Sequence, residues 1–250
     1  AGQRGDEETA RRCRRLAAEL RERFEEAFWL PDRGWYAVAI DGDGAPVDAL
    51  TSNIGHCLWS GIAAPDRAAM VADHLLSGAM FSGWGVRTLA STMGAYDPVS
   101  YHNGSVWPHD NALVVAGLMR YGHVEHAQRV ATAVLDAAAR FGGRLPELFC
   151  GFDRGAYPEP VPYPTSCSPQ AWAAAAPVQL LRTLLGLDPD VPRGELRLAP
   201  ALPPGMANLS LHGVPVAGTR IDVNGDVNSA DAGLEGAGGL RMVRERRRPA

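Results

Sequence analysis

The chain has 250 residues, of which 46% are hydrophobic and 21% are charged, as in an ordinary globular protein with a sizeable core. Its formal net charge of −4 gives no reason to expect nucleic acid or an anionic membrane as a partner. No apolar run approaches the ~20 residues that span a bilayer, and no apolar signal core follows the charges at the N-terminus. The chain begins with Ala and enters a helical pattern almost at once, as an excised piece would, although removal of Met leaves the same first residue.

The cysteines are far apart and form no CxxC pair. This spacing indicates reduced thiols of a cytoplasmic protein rather than a disulfide framework or a zinc site. The four residues are Cys13, Cys57, Cys150 and Cys167.

In chain order, the sequence predicts six helices in roughly three antiparallel pairs, with long loops after every second helix. In the first helix, from 7 to about 30, apolar residues recur at three- and four-residue steps. Strands over 35–40 and 47–50 follow, joined by a turn at 41–44 that is typical of a hairpin. The other five helices are predicted over 53–62, 66–76, 105–120, 124–141 and 168–187.

The helices that begin near 105 and 168 carry apolar or small residues nearly all round. We expect Ser166 or Ser168 to cap the second of them, with Pro169 in its first turn. A helix that is apolar on every side is buried on every side. An inner ring of helices backed by an outer ring satisfies this requirement.

After residue 192 the pattern changes to short alternating segments punctuated by Gly and Pro. We therefore divide the chain into a helical domain over 1–192 and a short β extension with a flexible basic tail over 193–250. The predicted strands and flexible segments are 195–199, 209–211, 214–217, 219–223, a loop over 224–239 and a disordered tail over 244–250.

The segment 101–111 combines aromatic rings, imidazoles, amides and a carboxylate at the mouth of an apolar helix. Sugars need this mixture, because aromatic faces pack on pyranose C–H groups while amides and carboxylates bond the hydroxyl groups. The alternative is a helix-capping turn with Trp107 in the core. A metal site is a weaker hypothesis, because no HExxH spacing occurs. The candidate sugar-binding residues here are Tyr101, His102, Asn103, Trp107, His109 and Asp110.

Glu147 is an isolated acid within an apolar, glycine-ended segment. Such a carboxylate is partly desolvated, which suits proton transfer. A structural pairing with Arg144, or a capping role, is an equally open interpretation. Two further segments predict binding walls, with Trp84 and Arg87 in one and Gln170 and Trp172 in the other, although each is individually more typical of structure.

Five segments in this order resemble the bacterial amylo-α-1,6-glucosidase family, the glycogen-debranching-type proteins. They are ALTSNIGH (49–56), GWGVRT (83–88), YHNGSVWPHDN (101–111), LPELF (145–149) and CSPQAW (167–172). The likeness covers roughly residues 20–200, and the third and fourth segments are its specific parts.

The resemblance implies a mainly α fold, the C-terminal half of an (α/α) toroid of six hairpins, because six helices are half of twelve. It implies an inverting hydrolase of α-glucans that needs no cofactor, with Glu147 at the position of the general base. The general acid of such enzymes lies in an earlier half that this chain lacks, so that half is the expected partner. The alternatives are a carbohydrate-binding remnant without catalysis and an α-hairpin scaffold for protein interactions. The scaffold lacks support because the helices show no fixed repeat period.

Overall fold

The computed structural model of the chain describes residues 2–226, 234–235 and 239–244. Six α-helices lie within these ranges, and the prediction of a mainly helical chain is confirmed. Their bounds are α1 Glu7–Phe28, α2 Asn53–Ser60, α3 Pro65–Leu75, α4 Pro108–Arg120, α5 Val124–Arg140 and α6 Ala171–Leu185.

Helix α4 lies at the centre of the helical domain and packs against α2, α5 and α6. Long connections (29–52, 76–107 and 141–170) lead into α2, α4 and α6, whereas short ones lead out of α2 and α4. Contacts between their N-terminal halves show that α2, α4 and α6 begin at the same end of the domain. His56 of α2 bonds to Asp110 of α4, and His109 of α4 stacks on Trp172 of α6, so the long connections that lead into these helices meet there.

Helices α2 and α4 approach each other through two glycines. A Cβ atom on Gly55 would lie 2.6 Å from Cγ2 of Val114, and one on Gly117 would lie 2.6 Å from the backbone nitrogen of Trp59. Real Cβ atoms do not come that close to backbone. The two glycines thus set the distance between α2 and α4 at backbone contact.

Two predicted helix starts are wrong. Helix α6 begins at Ala171, because the side-chain oxygen of Gln170 accepts hydrogen bonds from the nitrogens of Trp172 and Ala173 and so caps the helix in place of Ser166 or Ser168. The Ser168–Pro169 peptide bond is cis, and Pro169 precedes the helix. Helix α4 begins at Pro108 instead of residue 105, because Val106 is extended and pairs with Phe149.

The expectation that both apolar helices are buried on every side holds only for α4. On α6, one face is exposed, including Trp172, Ala174, Ala175 and Val178, the last at 67%. Helix α1 docks through its C-terminal half, where Phe24 and Phe28 pack on the core, while Leu16 and Leu20 are exposed. The described part of the chain supplies no neighbour for these two outer faces.

Strands fill the segments around the helices. Between α1 and α2, the predicted strand 35–40 is divided between two partners, because the chain changes partner after Tyr36. The predicted segments 209–211 and 214–217 form one strand, β7, with a bulge between Leu211 and Val214. The strand bounds are β1 Trp29–Leu30, β2 Trp35–Tyr36, β3 Ala39–Ile40, β4 Pro46–Val47, β5 Asp188–Asp190, β6 Glu195–Leu198, β7 Asn208–Val216, β8 Thr219–Asp226, β9 Leu234–Glu235 and β10 Arg241–Arg244.

The C-terminal strands form two three-stranded sheets, in the orders β10-β6-β5 and β7-β8-β9. A small hydrophobic cluster lies between them, separate from the helical core, and includes Leu196, Ile221 and Val223. Most of the predicted loop 224–239 and nearly all of the predicted tail 244–250 fall outside the described residues. Among the described helices, none has the length and hydropathy needed to cross a bilayer.

Candidate active site

Short backbone pairings join the long connections at the end of the domain where α4 begins. Val106 donates to the oxygen of Phe149 at 2.9 Å and accepts from its nitrogen at 3.0 Å. Isolated bridges extend this ladder from Val106 to Arg87 and from Phe149 to Pro162. The ladder fixes Trp107 and Glu147, which lie one and two residues from its rungs.

Glu147 is buried, with 8% of its surface exposed. The Tyr101 hydroxyl donates to its Oε1 at 2.8 Å, and this bond raises the pKa of Tyr101 because the carboxylate favours the protonated phenol. Oε2 of Glu147 has no hydrogen-bond partner among the described residues, and Arg144 forms no ion pair with it there. The structural pairing with Arg144 is therefore absent from this part of the chain.

Aromatic rings extend in a connected group from Tyr101, the residue that binds this carboxylate. The Trp107 ring lies edge-on to Tyr101, with centroids 4.9 Å apart, and edge-on to Trp172 at 6.0 Å. His109 stacks face to face on Trp172 at 3.9 Å, while Tyr163 approaches Tyr101 at 5.7 Å. Trp172 is nearly half exposed, so its ring is accessible to a ligand.

A second carboxylate, Asp110, lies in the first turn of α4 and is 7% exposed. Its Oδ1 lies 2.5 Å from Nε2 of His56 on α2. This hydrogen bond raises the pKa of His56 against the opposing effect of burial, whereas burial lowers the pKa of His109. Oδ2 of Asp110 and Nδ1 of His109 are buried without a hydrogen-bond partner in the described part of the chain.

Two predicted binding residues are instead surrounded by protein. Arg87 is fully buried, and its guanidinium donates to the backbone oxygens of Gly151 at 2.7 Å and of Gly78 at 3.2 Å. Trp84 is also buried and donates to the oxygen of Tyr157 at 3.1 Å. Both side chains link the connection 76–107 to the connection 141–170, so they stabilise the segments that carry the site residues.

The remaining predicted residues lie at the rim. His102 is exposed and its ring is parallel to that of Trp107, with centroids 5.8 Å apart. Asn103 is exposed, and Gln170 serves as the cap of α6. Sequence reasoning did not name His56 as a site residue, although it ends the first of the segments that carry the family resemblance (49–56), and its contact with Asp110 is what brings it into the site.

No group of three or more His, Cys, Asp or Glu side chains in the described ranges is arranged to hold a metal ion. The arrangement instead offers one buried carboxylate held by a phenol, a second held by an imidazole, and aromatic faces beside them. Those are groups that bind a polyhydroxylated ring and move a proton near it.

The family model described as the mannosylglycerate hydrolase MGH1-like glycoside hydrolase domain matches residues 1–150, more than half of the chain. The matched region contains Glu147, Asp110 and His56. The chain belongs to this glycoside hydrolase family. No curated protein matches the sequence.

Solved structures share the fold at low sequence identity. A sialidase covers 94% of this chain and 23% of its own, with a TM-score of 0.74 and 14% identity. A GH63 mannosylglycerate hydrolase from Thermus thermophilus, in complex with glucose, covers 62% of this chain and 34% of its own, with a TM-score of 0.52 and 22% identity. Neutral trehalase Nth1 from Saccharomyces cerevisiae covers 69% and 30%, with a TM-score of 0.51 and 15% identity.

The hydrolase and the trehalase are (α/α) toroid enzymes, and the present helical domain is consistent with part of such a toroid. The chain spans only about a quarter to a third of the length of these three structures. The family model therefore places the chain among the MGH1-like glycoside hydrolases and does not single out the amylo-α-1,6-glucosidases that the sequence resembles.

Proposed function

We propose that this chain is the C-terminal half of the catalytic toroid of an inverting glycoside hydrolase that cleaves α-glucosidic bonds, with Glu147 as its general base. The observation that carries the proposal is the buried carboxylate of Glu147, held by Tyr101 among the rings of Trp107, His109 and Trp172. Such a carboxylate supplies one of the two carboxyl groups that glycoside hydrolysis uses, and the aromatic faces suit the binding of a sugar.

In this mechanism the Tyr101 hydroxyl fixes Oε1 of Glu147 and leaves Oε2 to accept a proton from water. The oxygen of that water attacks the anomeric carbon as the glycosidic C–O bond breaks, and the leaving oxygen takes a proton from a general acid on the opposite face. Inversion places the water between sugar and base, so the acid and base carboxyl groups lie about 6.5–9.5 Å apart.

We assign the general acid to an upstream half of the toroid, which would be the partner of this chain. Asp110 is a poor candidate for the acid because its Oδ1 is bonded to His56 and its Oδ2 is buried. This assignment agrees with the share of its neighbours' length that the chain covers.

The substrate we propose is an α-glucan with α-1,6 branches, supported by the resemblance of residues 101–111 and 145–149 to the amylo-α-1,6-glucosidases. The neighbours offer the competing substrates, because one is a mannosylglycerate hydrolase and another a trehalase. Hydrolysis of isomaltose and panose should then exceed that of maltose, trehalose and mannosylglycerate, with the released anomer followed by NMR. Preference for mannosylglycerate or trehalose would overturn the α-1,6 assignment.

The spacing of the four cysteines supports a cytoplasmic location.

The test of the base is Glu147→Gln in the chain combined with its upstream half. The amide keeps the shape but accepts no proton, so hydrolysis should fall about 10²- to 10⁴-fold while sugar binding is retained. Glu159→Gln is the matched control, because Glu159 lies in the same long connection but is exposed and paired with Arg140. Undiminished turnover in Glu147→Gln would remove the assignment, and sugar binding without turnover in the unaltered pair of halves would identify a binding remnant.

A further inference from the structure

In the described part of the chain, one carboxylate oxygen of Asp110 is hydrogen-bonded and the other is not. Oδ1 is bonded to His56, while Oδ2 is buried and has no partner among the described residues. A buried carboxylate oxygen without a hydrogen bond is unfavourable, because it has lost its water and gained nothing in exchange. A ligand with a hydroxyl group at this point would remove that deficit.

The neighbouring residue has the same deficit. Nδ1 of His109 is buried without a partner in the described part of the chain, and its ring is stacked on Trp172. Within electrostatic range of His109 lie Asp110, His56 and Glu147, the titratable groups that influence its pKa. Two idle polar atoms on consecutive residues, beside a flat ring and the proposed base, match the hydroxyl groups and the apolar face of one pyranose.

His56 controls the direction of the idle oxygen. It reaches Asp110 from α2, and Gly55, the preceding residue, holds α2 at backbone contact with α4. The donor and the acceptor thus lie on two closely packed helices. The bond between Oδ1 and the imidazole restrains rotation of the carboxylate and so the direction of Oδ2.

We propose that Oδ2 of Asp110 accepts a hydrogen bond from one hydroxyl group of the sugar bound at Glu147, and that His56 is the positioning residue that aims it. The proposal rests on the proposed function and adds a hydroxyl-specific recognition element to that site. It concerns binding and is independent of which group supplies the acid.

The test is a cycle of sugar and protein changes in the chain combined with its upstream half, measured by titration with methyl α-D-glucopyranoside and its 2-, 3-, 4- and 6-deoxy analogues. The unaltered chain should bind one analogue about 10- to 100-fold more weakly than the parent sugar, the value of a hydrogen bond to a charged group. Asp110→Asn should bind the parent weakly and lose that discrimination, because the amide turns its oxygen to His56 and its NH2 to the sugar. Equal binding of all analogues, unchanged discrimination in Asp110→Asn, or binding of none of these sugars would overturn the proposal.

His56 is tested with two substitutions. His56→Ala should weaken the parent sugar about as much as Asp110→Asn, while His56→Gln, which can still donate to Oδ1, should retain most of the binding. His126→Ala is the matched control, since His126 pairs with Asp73 at 3.2 Å on an exposed surface and should leave binding unchanged. Binding by His56→Ala that equals that of the unaltered chain would refute the positioning role.

Melting temperatures of all variants accompany these titrations. If Asp110→Asn does not fold, the imidazole NMR resonances of His56 and His109 in the unaltered chain test the proposal instead. The parent sugar should shift these resonances, and the deoxy analogue that binds weakly should not. Failure of the two proposals is distinguishable. Full turnover by Glu147→Gln would refute the role of Glu147 as the base and would not affect the discrimination among deoxy sugars. Loss of turnover in Glu147→Gln, together with equal binding of all deoxy sugars, would refute only the role of Asp110.

Discussion

Helices α4 and α6 are alike in sequence and unlike in structure. Both are apolar or small nearly all round, yet α4 is enclosed by α2, α5 and α6, whereas α6 leaves Trp172 and Val178 exposed. Burial is thus decided by the neighbours that a helix has, and composition shows only which neighbours it needs. The outer faces of α6 and α1 have no helix packed on them in the described part of the chain, and under the proposed function the upstream half covers them.

The largest effect should come from supplying those neighbours. The chain alone should self-associate or bind a hydrophobic dye, and should release no glucose from an α-glucoside, because apolar faces of this extent are rare on monomers. The upstream half, fused or separate, should restore dispersion and activity together, as measured by light scattering and glucose release. A compact monomer that hydrolyses α-glucosides alone would refute both the half-toroid and the missing acid, and Asp110 would be the first candidate acid to test.

The next effect compares one valine in each helix. Val115 in α4 is fully buried, so Val115→Asp should lower the free energy of unfolding by more than about 3 kcal/mol, because a charge would lie among apolar side chains. Val178 in α6 is 67% exposed, so Val178→Asp should change it by less than about 1 kcal/mol in the chain alone. Denaturant titrations measure both. Val178→Asp should also block association with the upstream half. Unimpaired association would show that the exposed face of α6 is not the interface between the two halves.

These contrasts also show what the sequence can predict. Helical periodicity located all six helices, because spacing of apolar residues depends on local geometry. The start of α6 was missed because Gln170, an uncommon cap, competes with Ser166 and Ser168, and only the path of the backbone decides which side chain reaches the free nitrogens. The exposed face of α6 was missed because periodicity carries no information about absent neighbours.

The candidate site shows the same limit. Tyr101 and Glu147 are 46 residues apart in the chain; the family resemblance suggested that they belong to one enzyme site, and they share a hydrogen bond. Arg87 was expected at the sugar but is directed at backbone oxygens, since an arginine in a loop can serve either partner and sequence does not choose. His56 became visible only through its contact with Asp110.

A smaller effect concerns the close contact that holds α4 in place. Gly117→Ala puts a methyl group 2.6 Å from the nitrogen of Trp59, and overpacking of this kind costs about 1–3 kcal/mol. Ala174→Gly on the open face of α6 should cost about 1 kcal/mol or less, from helix propensity alone. Thermal unfolding compares them, and equal losses would mean that α2 and α4 separate freely.

The smallest expected effect is on the pH dependence of the free energy of unfolding, at the first turns of α4 and α6. The first turn of α4 is bonded to a group that titrates, and that of α6 is capped by a neutral side chain. Helix α4 is bonded through Asp110 to His56, whose folded pKa is raised, while α6 is capped by Gln170. A raised folded pKa stabilises the protein fully below the unfolded value of about 6.5, and this contribution is lost as pH rises through the folded pKa. The destabilisation caused by His56→Gln should therefore be greatest below about pH 6.5 and decline as the pH rises through the folded pKa. That of Gln170→Ala, about 1 kcal/mol, should stay constant over the same range.

His109 has a lowered pKa and is repelled by His56, so the His56→Gln comparison is repeated in a His109→Gln background to remove this opposing contribution. A cost of His56→Gln that does not vary with pH would show that the pair with Asp110 is not ionic.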